Sequence, residues 1–340
     1  MPIVGIRTSR SWIGPGTGVN TKASGQYALA MGRGTRASGY GSTASGYGST
    51  ASGSYSTASG YNSLASGNYS TALSNYSTAS GYSAVVFGDY STASGYASTA
   101  SGSNCTAGGN YSTASGYYST APGSYSTASG HTATAQGDYS VAHGRNSTAS
   151  GNASTASGSA STASGDYSTA SGSNCTAGGN YSTASGSSSS ASRSGQASHA
   201  NGRFVITGDA QLTRLVARTQ TTDATATELA IDGSSLYLTI DATRTMSATI
   251  HIAAHRTDVS GTAAAWPLIQ VGITRNSTGN CRLLGAVSGA GTTTLCDAGA
   301  STWNIAITAD TTNNRLAITA TGEAGKTIRW VATVDMAEVG

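Results

Sequence analysis

Small side chains recur every seven residues between about 21 and 195 of this 340-residue chain. The recurring unit is Ser-Thr-Ala-Ser-Gly followed by two variable residues, as in Ser42-Thr43-Ala44-Ser45-Gly46. Because side chains alternate faces along a strand, the first Ser, the Ala and the Gly share one face, and the Thr and the second Ser share the other. The first face is uniformly small, so the pattern predicts short strands that line a narrow interior.

The seven-residue period has few exceptions. Ala fills 24 of the 25 positions from Ala23 to Ala191, and Val86 is the exception. Gly fills 23 of the 25 positions two residues later, where Ser74 and Arg193 depart from it. Gly permits a tight bend, so each unit predicts a strand and a corner. Two units close one coil of 14 residues, and about 12 coils at an inter-strand spacing of about 4.8 Å predict a rod about 60 Å long.

The two sides of the predicted coil differ in their larger residues. Tyr just before the next unit favours one set of units, whereas the apolar departures that span several positions fall in the alternate set. A core of Ala and Ser buries little apolar surface, which favours oligomerisation. We therefore expect the apolar side to contact a partner, through the candidates Leu29, Met31, Leu73, Val85, Phe87, Val141 and His143.

The composition argues against several classes of protein. Charged residues make up only 9% of the chain and Tyr occurs 18 times, whereas disorder predicts high charge and few aromatic residues. A thinly spread net charge of +3 gives no basic patch for nucleic acid. The sequence has no apolar run of about 18 residues, so no membrane-spanning segment is predicted. The N-terminus shows no secretory signal pattern.

Units such as Ser140-Val141-Ala142-His143-Gly144 resemble the head repeats of YadA-type trimeric autotransporter adhesins. The resemblance covers about half of the chain. It implies a left-handed parallel β-roll and a homotrimer around a shared axis. The family usually places Val and Ile on the side facing the axis, where this chain has mostly Thr and Ser, so the resemblance implies an unusually polar axis.

The composition changes at Arg203, and the remaining chain predicts ordinary β-strands separated by turn signals. Seven or more short strands without helical periodicity predict a sandwich. The predicted fold class is therefore all-β, with a β-roll of 14-residue coils followed by a C-terminal β-sandwich. The strand candidates are Leu212–Ala217, Leu236–Ile240, Met246–Ala254, Leu268–Ile273, Trp303–Ala309, Arg315–Ala320 and Ile328–Val334.

The C-terminal part also resembles a domain found at the C-termini of phage tail and fibre proteins. The most specific stretch is Thr319-Ala320-Thr321-Gly322-Glu323-Ala324-Gly325-Lys326-Thr327-Ile328-Arg329-Trp330-Val331-Ala332. Further stretches are Thr221-Thr222-Asp223-Ala224-Thr225, Ala254-His255-Arg256-Thr257-Asp258, Ala264-Ala265-Trp266 and the run from Trp303 to Asn313. The resemblance implies a fibre tip or trimerisation sandwich in a virion.

These features divide the chain into four predicted segments. Residues 21–195 form the rod, 196–210 a transition and 211–340 the tip or trimerisation domain. Residues 1–20 are either a lead-in to the first coil or an attachment segment, in which Arg7, Arg10 and Trp12 would contact another virion protein.

The four cysteines are too few and too scattered for a disulfide scaffold. Cys105 and Cys175 lie five coils apart, about 24 Å along the rod, whereas a disulfide needs Cα atoms within about 7 Å. We expect both to be small buried packing residues. Cys281 and Cys296 leave two alternatives open, free thiols or a disulfide across a hairpin centred near Gly289.

No catalytic or cofactor-binding constellation is evident. His251 and His255 lack a third ligand for a metal ion, and three copies of His143 on an axis are the one alternative for an ion site. The rod carboxylates Asp89, Asp138 and Asp166 are too far apart for the paired carboxylates of a glycosidase. We expect core or trimer-interface roles for three tryptophans, with sugar stacking as the alternative: Trp266, Trp303 and Trp330.

The sequence therefore predicts a non-enzymatic homotrimeric fibre on a bacteriophage particle, on the tail or the head, that attaches to a host surface glycan or protein. A bacterial surface adhesin is the alternative from the repeats, and the absent signal pattern argues against it. An ice-binding solenoid is a further alternative, because Thr residues form outward rows. A tailspike enzyme would need the carboxylate pair that the rod lacks.

Overall fold

The computed structural model describes residues 12–13, 19–258 and 261–340, with side chains from residue 19 onward. Two compact units make up the chain, residues 1–167 and 168–340. The described residues contain no α-helix and a single short 3-10 helix, Ala298–Ala300. The all-β prediction is confirmed.

The first unit is a solenoid in which each 14-residue coil adds one strand to each of two parallel sheets. Thr43 pairs with Thr57 in the first sheet, and Thr50 pairs with Leu64 in the second. Odd-numbered strands form the first sheet and even-numbered strands the second. The strands are β1 (Trp12–Ile13), β2 (Lys22–Ala23), β3 (Leu29–Arg33), β4 (Arg36–Ala37), β5 (Thr43–Tyr47), β6 (Thr50–Ala51), β7 (Thr57–Tyr61), β8 (Leu64–Ala65), β9 (Thr71–Ala72), β10 (Thr78–Ala79), β11 (Val85–Val86), β12 (Thr92–Ala93), β13 (Thr99–Ser103), β14 (Thr106–Ala107), β15 (Thr113–Tyr117), β16 (Thr120–Ala121), β17 (Thr127–His131), β18 (Thr134–Ala135), β19 (Val141–Arg145), β20 (Thr148–Ala149), β21 (Thr155–Ser159) and β22 (Thr162–Ala163).

The interior of the coils is filled by the Ala and Ser of each unit. Ala44 and Ala128 are fully buried, as is Val86. The hydroxyl of Ser42 is also buried and donates to the carbonyl oxygen of Gly39 at 2.8 Å, which closes the corner between the two sheets. Ser suits this position because it is small and its hydroxyl can bond at the corner, although Ala84 and Cys105 fill the same position. The same bond recurs at Ser56, Ser98, Ser112, Ser126 and Ser154.

The Gly of each unit is required because neighbouring coils approach closely there. In the second sheet, a Cβ on Gly109 would lie 2.0 Å from the carbonyl oxygen of Gly123 in the next coil. In the first sheet, Gly46 has a φ of +99°, which L-residues rarely adopt. Ser74 escapes this restriction because its φ is not positive, and its coil has a two-residue strand, β9, in place of the five residues of β7.

The residue just before each unit adopts the left-handed conformation, often without being Gly. Tyr55, Thr132 and Ala153 have φ values of +56°, +57° and +50°. Such values are uncommon for residues with a Cβ. Here the cost is offset by the coil ladder, since the N–H of Tyr55 donates to the carbonyl oxygen of Tyr40 at 2.7 Å.

The second unit begins with three first-sheet coil strands and two second-sheet coil strands, then continues as a sandwich. One antiparallel sheet has the order β28-β36-β30-β31-β32, and its β28 pairs with the coil strand β27; the facing sheet has the order β29-β35-β34-β33. The strands are β23 (Thr169–Ser173), β24 (Thr176–Ala177), β25 (Thr183–Ser187), β26 (Ser190–Ala191), β27 (Ala197–Asn201), β28 (Ala210–Thr221), β29 (Thr227–Glu228), β30 (Arg244–Arg256), β31 (Ala263–Arg275), β32 (Arg282–Leu283), β33 (Gly291–Thr292), β34 (Asn304–Asp310), β35 (Arg315–Thr321) and β36 (Ile328–Val339).

Six of the seven predicted C-terminal strands are present, and the strand prediction for Leu236–Ile240 is wrong. This segment makes only one isolated bridge, between Thr239 and Arg315. The carboxylate of Asp232 accepts the N–H groups of Ser234, Ser235 and Leu236, at 2.9 Å each. That turn fixes the start of the segment as a loop, which the alternation of its side chains did not reveal.

Two adjacent glycines allow the coil-approach argument to be tested. Gly109→Ala should lower the free energy of unfolding by about 2 kcal/mol, because forcing atoms into a packed site costs about 1–3 kcal/mol. Gly108→Ala is the matched control, since its Cβ would make an ordinary contact, 3.7 Å from the Cα of Pro122. Denaturant unfolding followed by circular dichroism measures both, and equal destabilisation by the two changes would contradict the argument.

Candidate functional site

The predicted partner-contacting residues lie on the outer face of the first sheet, in two parallel rows. The register aligns Leu29 with Thr43 and Val141 with Thr127, and the row through these positions is called the threonine row. Its members are Leu29, Thr43, Thr57, Thr71, Val85, Thr99, Thr113, Thr127, Val141 and Thr155.

The second row, called the serine row, lies two residues further along each strand. Met31 aligns with Ser45, and His143 aligns with Ser129. Leu73 and Phe87 continue this row, since their N–H groups donate to the carbonyl oxygens of the next coil. Met31, Leu73 and Phe87 are 40%, 42% and 55% exposed. The structure therefore brings all seven predicted residues onto one face of one sheet, where three of them leave large apolar side chains open to solvent.

The predicted attachment residues fall largely outside the described part of the chain. Arg7 and Arg10 lie among the residues that the structure does not describe, and only the backbone of Trp12 is described. That backbone pairs with Leu29 in the first sheet. The predicted contact of these three residues with another virion protein stays a prediction.

A stack of tyrosine rings runs along one corner of the first unit. Successive ring centroids lie 4.9–5.5 Å apart, and the rings are about half exposed. Four of the successive pairs are stacked face to face, two are edge-on and two are tilted, and these contacts between coils stiffen the corner. The members are Tyr27, Tyr40, Tyr55, Tyr69, Tyr82, Tyr96, Tyr111, Tyr125 and Tyr139.

The stacking also resists ionisation of the phenols. Loss of solvation beside neighbouring rings raises the pKa of Tyr40 and of Tyr111. In a shorter stack that begins at Tyr47, repulsion from Tyr76 raises the pKa of Tyr61. The sequence shows the bias of Tyr towards one set of units but does not reveal the stack, because the stack joins Tyr residues from two repeat positions.

Arg193, which replaces a Gly of the repeat, joins the last coil to the sandwich. Its guanidinium is 5% exposed, and its Nη1 lies 3.3 Å from Oε1 of Glu338 on β36. Its Nε donates to the carbonyl oxygen of Thr239 at 3.0 Å. Gln211 on β28 completes the junction by donating to the carbonyl oxygen of Ser190 at 2.9 Å and accepting from its N–H at 2.8 Å.

All four cysteines are free thiols. Cys105 and Cys175 are fully buried in the coils, where each Sγ lies 3.3 Å from a glycine carbonyl oxygen of the next coil, and burial raises the pKa of the Cys105 thiol. The hairpin alternative for Cys281 and Cys296 is wrong. Arg282, next to Cys281, pairs with Thr274 near one end of β31, whereas Cys296 pairs with Ala264 near the other end. Thr274 and Ala264 are ten residues apart, which is about 30 Å along the strand.

The remaining candidates are three buried tryptophans and two exposed histidines. Trp266, Trp303 and Trp330 are at most 1% exposed and form one ring cluster, so the sugar-stacking alternative is wrong for them. His251 and His255 are exposed on β30. Among the residues that the structure describes, no group of three or more His, Cys, Asp or Glu is placed to hold a metal ion.

Arg193 and Arg214 each form an ion pair with a carboxylate of β36, and only the pair with Arg193 is buried on both sides. Removing each arginine in turn therefore compares a buried ion pair with an exposed one. Arg193→Ala leaves Glu338 buried without its partner, and we expect a loss of about 3–5 kcal/mol in the free energy of unfolding of the C-terminal part. Arg214→Ala removes an exposed partner of Asp335 and should cost about 0–1 kcal/mol. Denaturant unfolding followed by tryptophan fluorescence measures both, and similar losses would show that Arg193 does not hold the junction.

The comparisons with known proteins agree with the geometry of the coils. In the described residues, no helix has the length and apolar character needed to cross a membrane. No curated protein is significantly similar to the chain. The family model described as the YadA head domain repeat matches residues 18–35, 23–49, 37–63, 51–73, 74–98, 93–119, 121–147 and 149–174, somewhat less than half of the chain. The coils of the solenoid are therefore similar to YadA head repeats.

Proposed function

We propose that this protein is a structural, non-enzymatic fibre that assembles as a homotrimer and attaches to a cell surface. The observation that carries the proposal is the outer face of the first sheet, where the larger apolar departures from the repeat are gathered. Exposed Met31, Leu73 and Phe87 lose contact with water only if another chain covers them. The YadA head repeats support a trimer as the form in which the coils cover one another.

The second unit offers a matching face. Its coil strand β27 pairs with β28 so that outward Ala197 lies beside Arg214, and outward His199 lies beside Leu212. The outer face of the sandwich sheet therefore continues the outer face of the coil sheet within this unit. It carries exposed Leu212, Val216 and Val331, which would also be covered in a trimer.

The finer proposal is a bacteriophage virion fibre, on the tail or the head, with the sandwich as tip. It is supported by the resemblance of the sequence near Trp330 to the C-terminal domains of phage fibres. In this proposal the segment with Arg7, Arg10 and Trp12 contacts another virion protein. The particle surface is then the location of the protein, and a host glycan or protein is its target.

A bacterial surface adhesin is the second candidate, favoured by the YadA head repeats. Antibodies against residues 211–340 separate the two candidates. Gold labelling of purified virions would support the phage fibre, whereas labelling of uninfected cells with unlabelled virions would overturn it in favour of the adhesin.

The trimer itself is tested by charge at the serine row. Phe87→Glu should place three like charges close together, and since like charges at an interface cost several kcal/mol, we expect the three-chain species to dissociate at concentrations where the unmodified protein stays assembled. Leu64→Glu on the second sheet is the matched control and should leave assembly unchanged. Sedimentation equilibrium measures the mass, and circular dichroism checks that both variants fold. A monomeric unmodified protein, or equal dissociation of both variants, would refute the proposed interface.

A further inference from the structure

A polar pocket lies in the second unit, where the last coils meet the 231–239 loop and the turn between β34 and β35. Its volume is about 570 Å³, within the range of about 300–1,000 Å³ found for small-molecule sites. Its lining includes Arg193, Tyr237, Arg315, Asn313, Ser192 and Leu236.

Arg193 forms part of the wall of this pocket. Its Nε and Nη1 have acceptors in Thr239 and Glu338, but its buried Nη2 has no hydrogen-bond acceptor among the described residues. The nearest carboxylate oxygen, on Asp241, is 3.6 Å away. Because Nη2 is fully buried, the polar groups that a ligand can reach in this pocket are those of the exposed Ser192 and Asn313.

The charges around the pocket favour a neutral ligand. Arg193 lies beside Glu338 and Asp241, at 3.3 and 3.6 Å. Arg315 is paired with Glu228 at 2.9 Å and with Asp310 at 2.7 Å. Four carboxylates therefore surround two guanidinium groups, and the excess negative charge disfavours a carboxylate or phosphate ligand.

Tyr237 adds an aromatic wall. It is half-buried, and the guanidinium carbon of Arg315 lies 4.1 Å from the centroid of its ring. Leu236, which is 48% exposed, adds apolar surface at the same pocket. An aromatic ring and apolar surface beside amide, hydroxyl and guanidinium groups suit a ring-shaped molecule with apolar C–H faces and several hydroxyls.

We propose that this pocket binds a neutral saccharide unit, with Tyr237 packing against the sugar ring and the exposed Ser192 and Asn313 bonding to its hydroxyls. The proposal deepens the proposed attachment function and rests on it. All the residues that line the pocket belong to the second unit of one chain, so the site does not require a second copy.

Saturation-transfer NMR on the full-length protein tests the proposal. The probes are the methyl glycosides of D-glucose, D-galactose, L-rhamnose and N-acetyl-D-glucosamine, with N-acetylneuraminic acid as the anionic comparison. We expect a signal from at least one neutral glycoside and none from the acid. Tyr237→Ala should lower the affinity about tenfold, because it removes the aromatic wall.

A filling variant gives an independent readout. Ser192→Trp places a bulky ring at an exposed position of the pocket and should abolish the signal, whereas Ser80→Trp, at the same repeat position but not lining the pocket, should leave it unchanged. Circular dichroism checks that each variant folds. Silence from all four glycosides, a stronger signal from the acid, or equal loss in both tryptophan variants would overturn the proposal.

The same preparation distinguishes failure of the pocket from failure of the proposed function. Its mass and its adherence to cells are measured alongside the NMR. A trimer that adheres to cells without any glycoside signal overturns the saccharide site and leaves the fibre function standing. A monomer that does not adhere overturns the fibre function, whatever the pocket binds.

Discussion

Each coil of this protein must bring its backbone within hydrogen-bonding distance of the backbone fourteen residues later. At the corners the approach is closer still, since a Cβ on Gly109 would fall 2.0 Å from a carbonyl oxygen. The interior between the sheets is filled by Ala and Ser and occasionally by Thr, Cys or Val. Small residues are therefore a condition of the coil spacing, and the apolar surface that they bury is too small to be the main source of stability.

Because the interior admits only small changes, the larger differences between coils appear at the corners and on the outer faces. The left-handed corner residue can be Tyr, Asn, Ala, Ser or Thr, since the ladder bond from its N–H fixes the backbone whatever the side chain. Tyr at this position gains a neighbouring ring in the next coil, which adds stacking to the ladder. The outer rows are free to hold Phe87 or His143 in the same way, so a partner surface can change without altering the coil.

The sequence predicted those parts of the fold that a strict pattern controls. The seven-residue period and its small face predicted the coils, and the alternate placement of Leu29, Val85 and Val141 predicted that they share a face. The tyrosine stack was not predicted, because its members come from two repeat positions that only the folded coil brings together. The loop at 236–240 was not predicted either, since the hydrogen bonds to Asp232 decide it and its side-chain alternation resembles that of a strand.

The two exceptions to the glycine rule show how a repeat departs from its own constraint. Ser74 lacks the positive φ, and its strand β9 has only two residues, as does β11, where Gly88 also lacks a positive φ. Arg193 stands where the coils end, and its side chain reaches the loop at Thr239 and the buried carboxylate of Glu338. A long charged residue is tolerated there because the neighbour beyond it is a domain that supplies acceptors, and not another coil that needs a glycine. The end of this solenoid is therefore marked by the first repeat position whose side chain contacts the following domain instead of another coil.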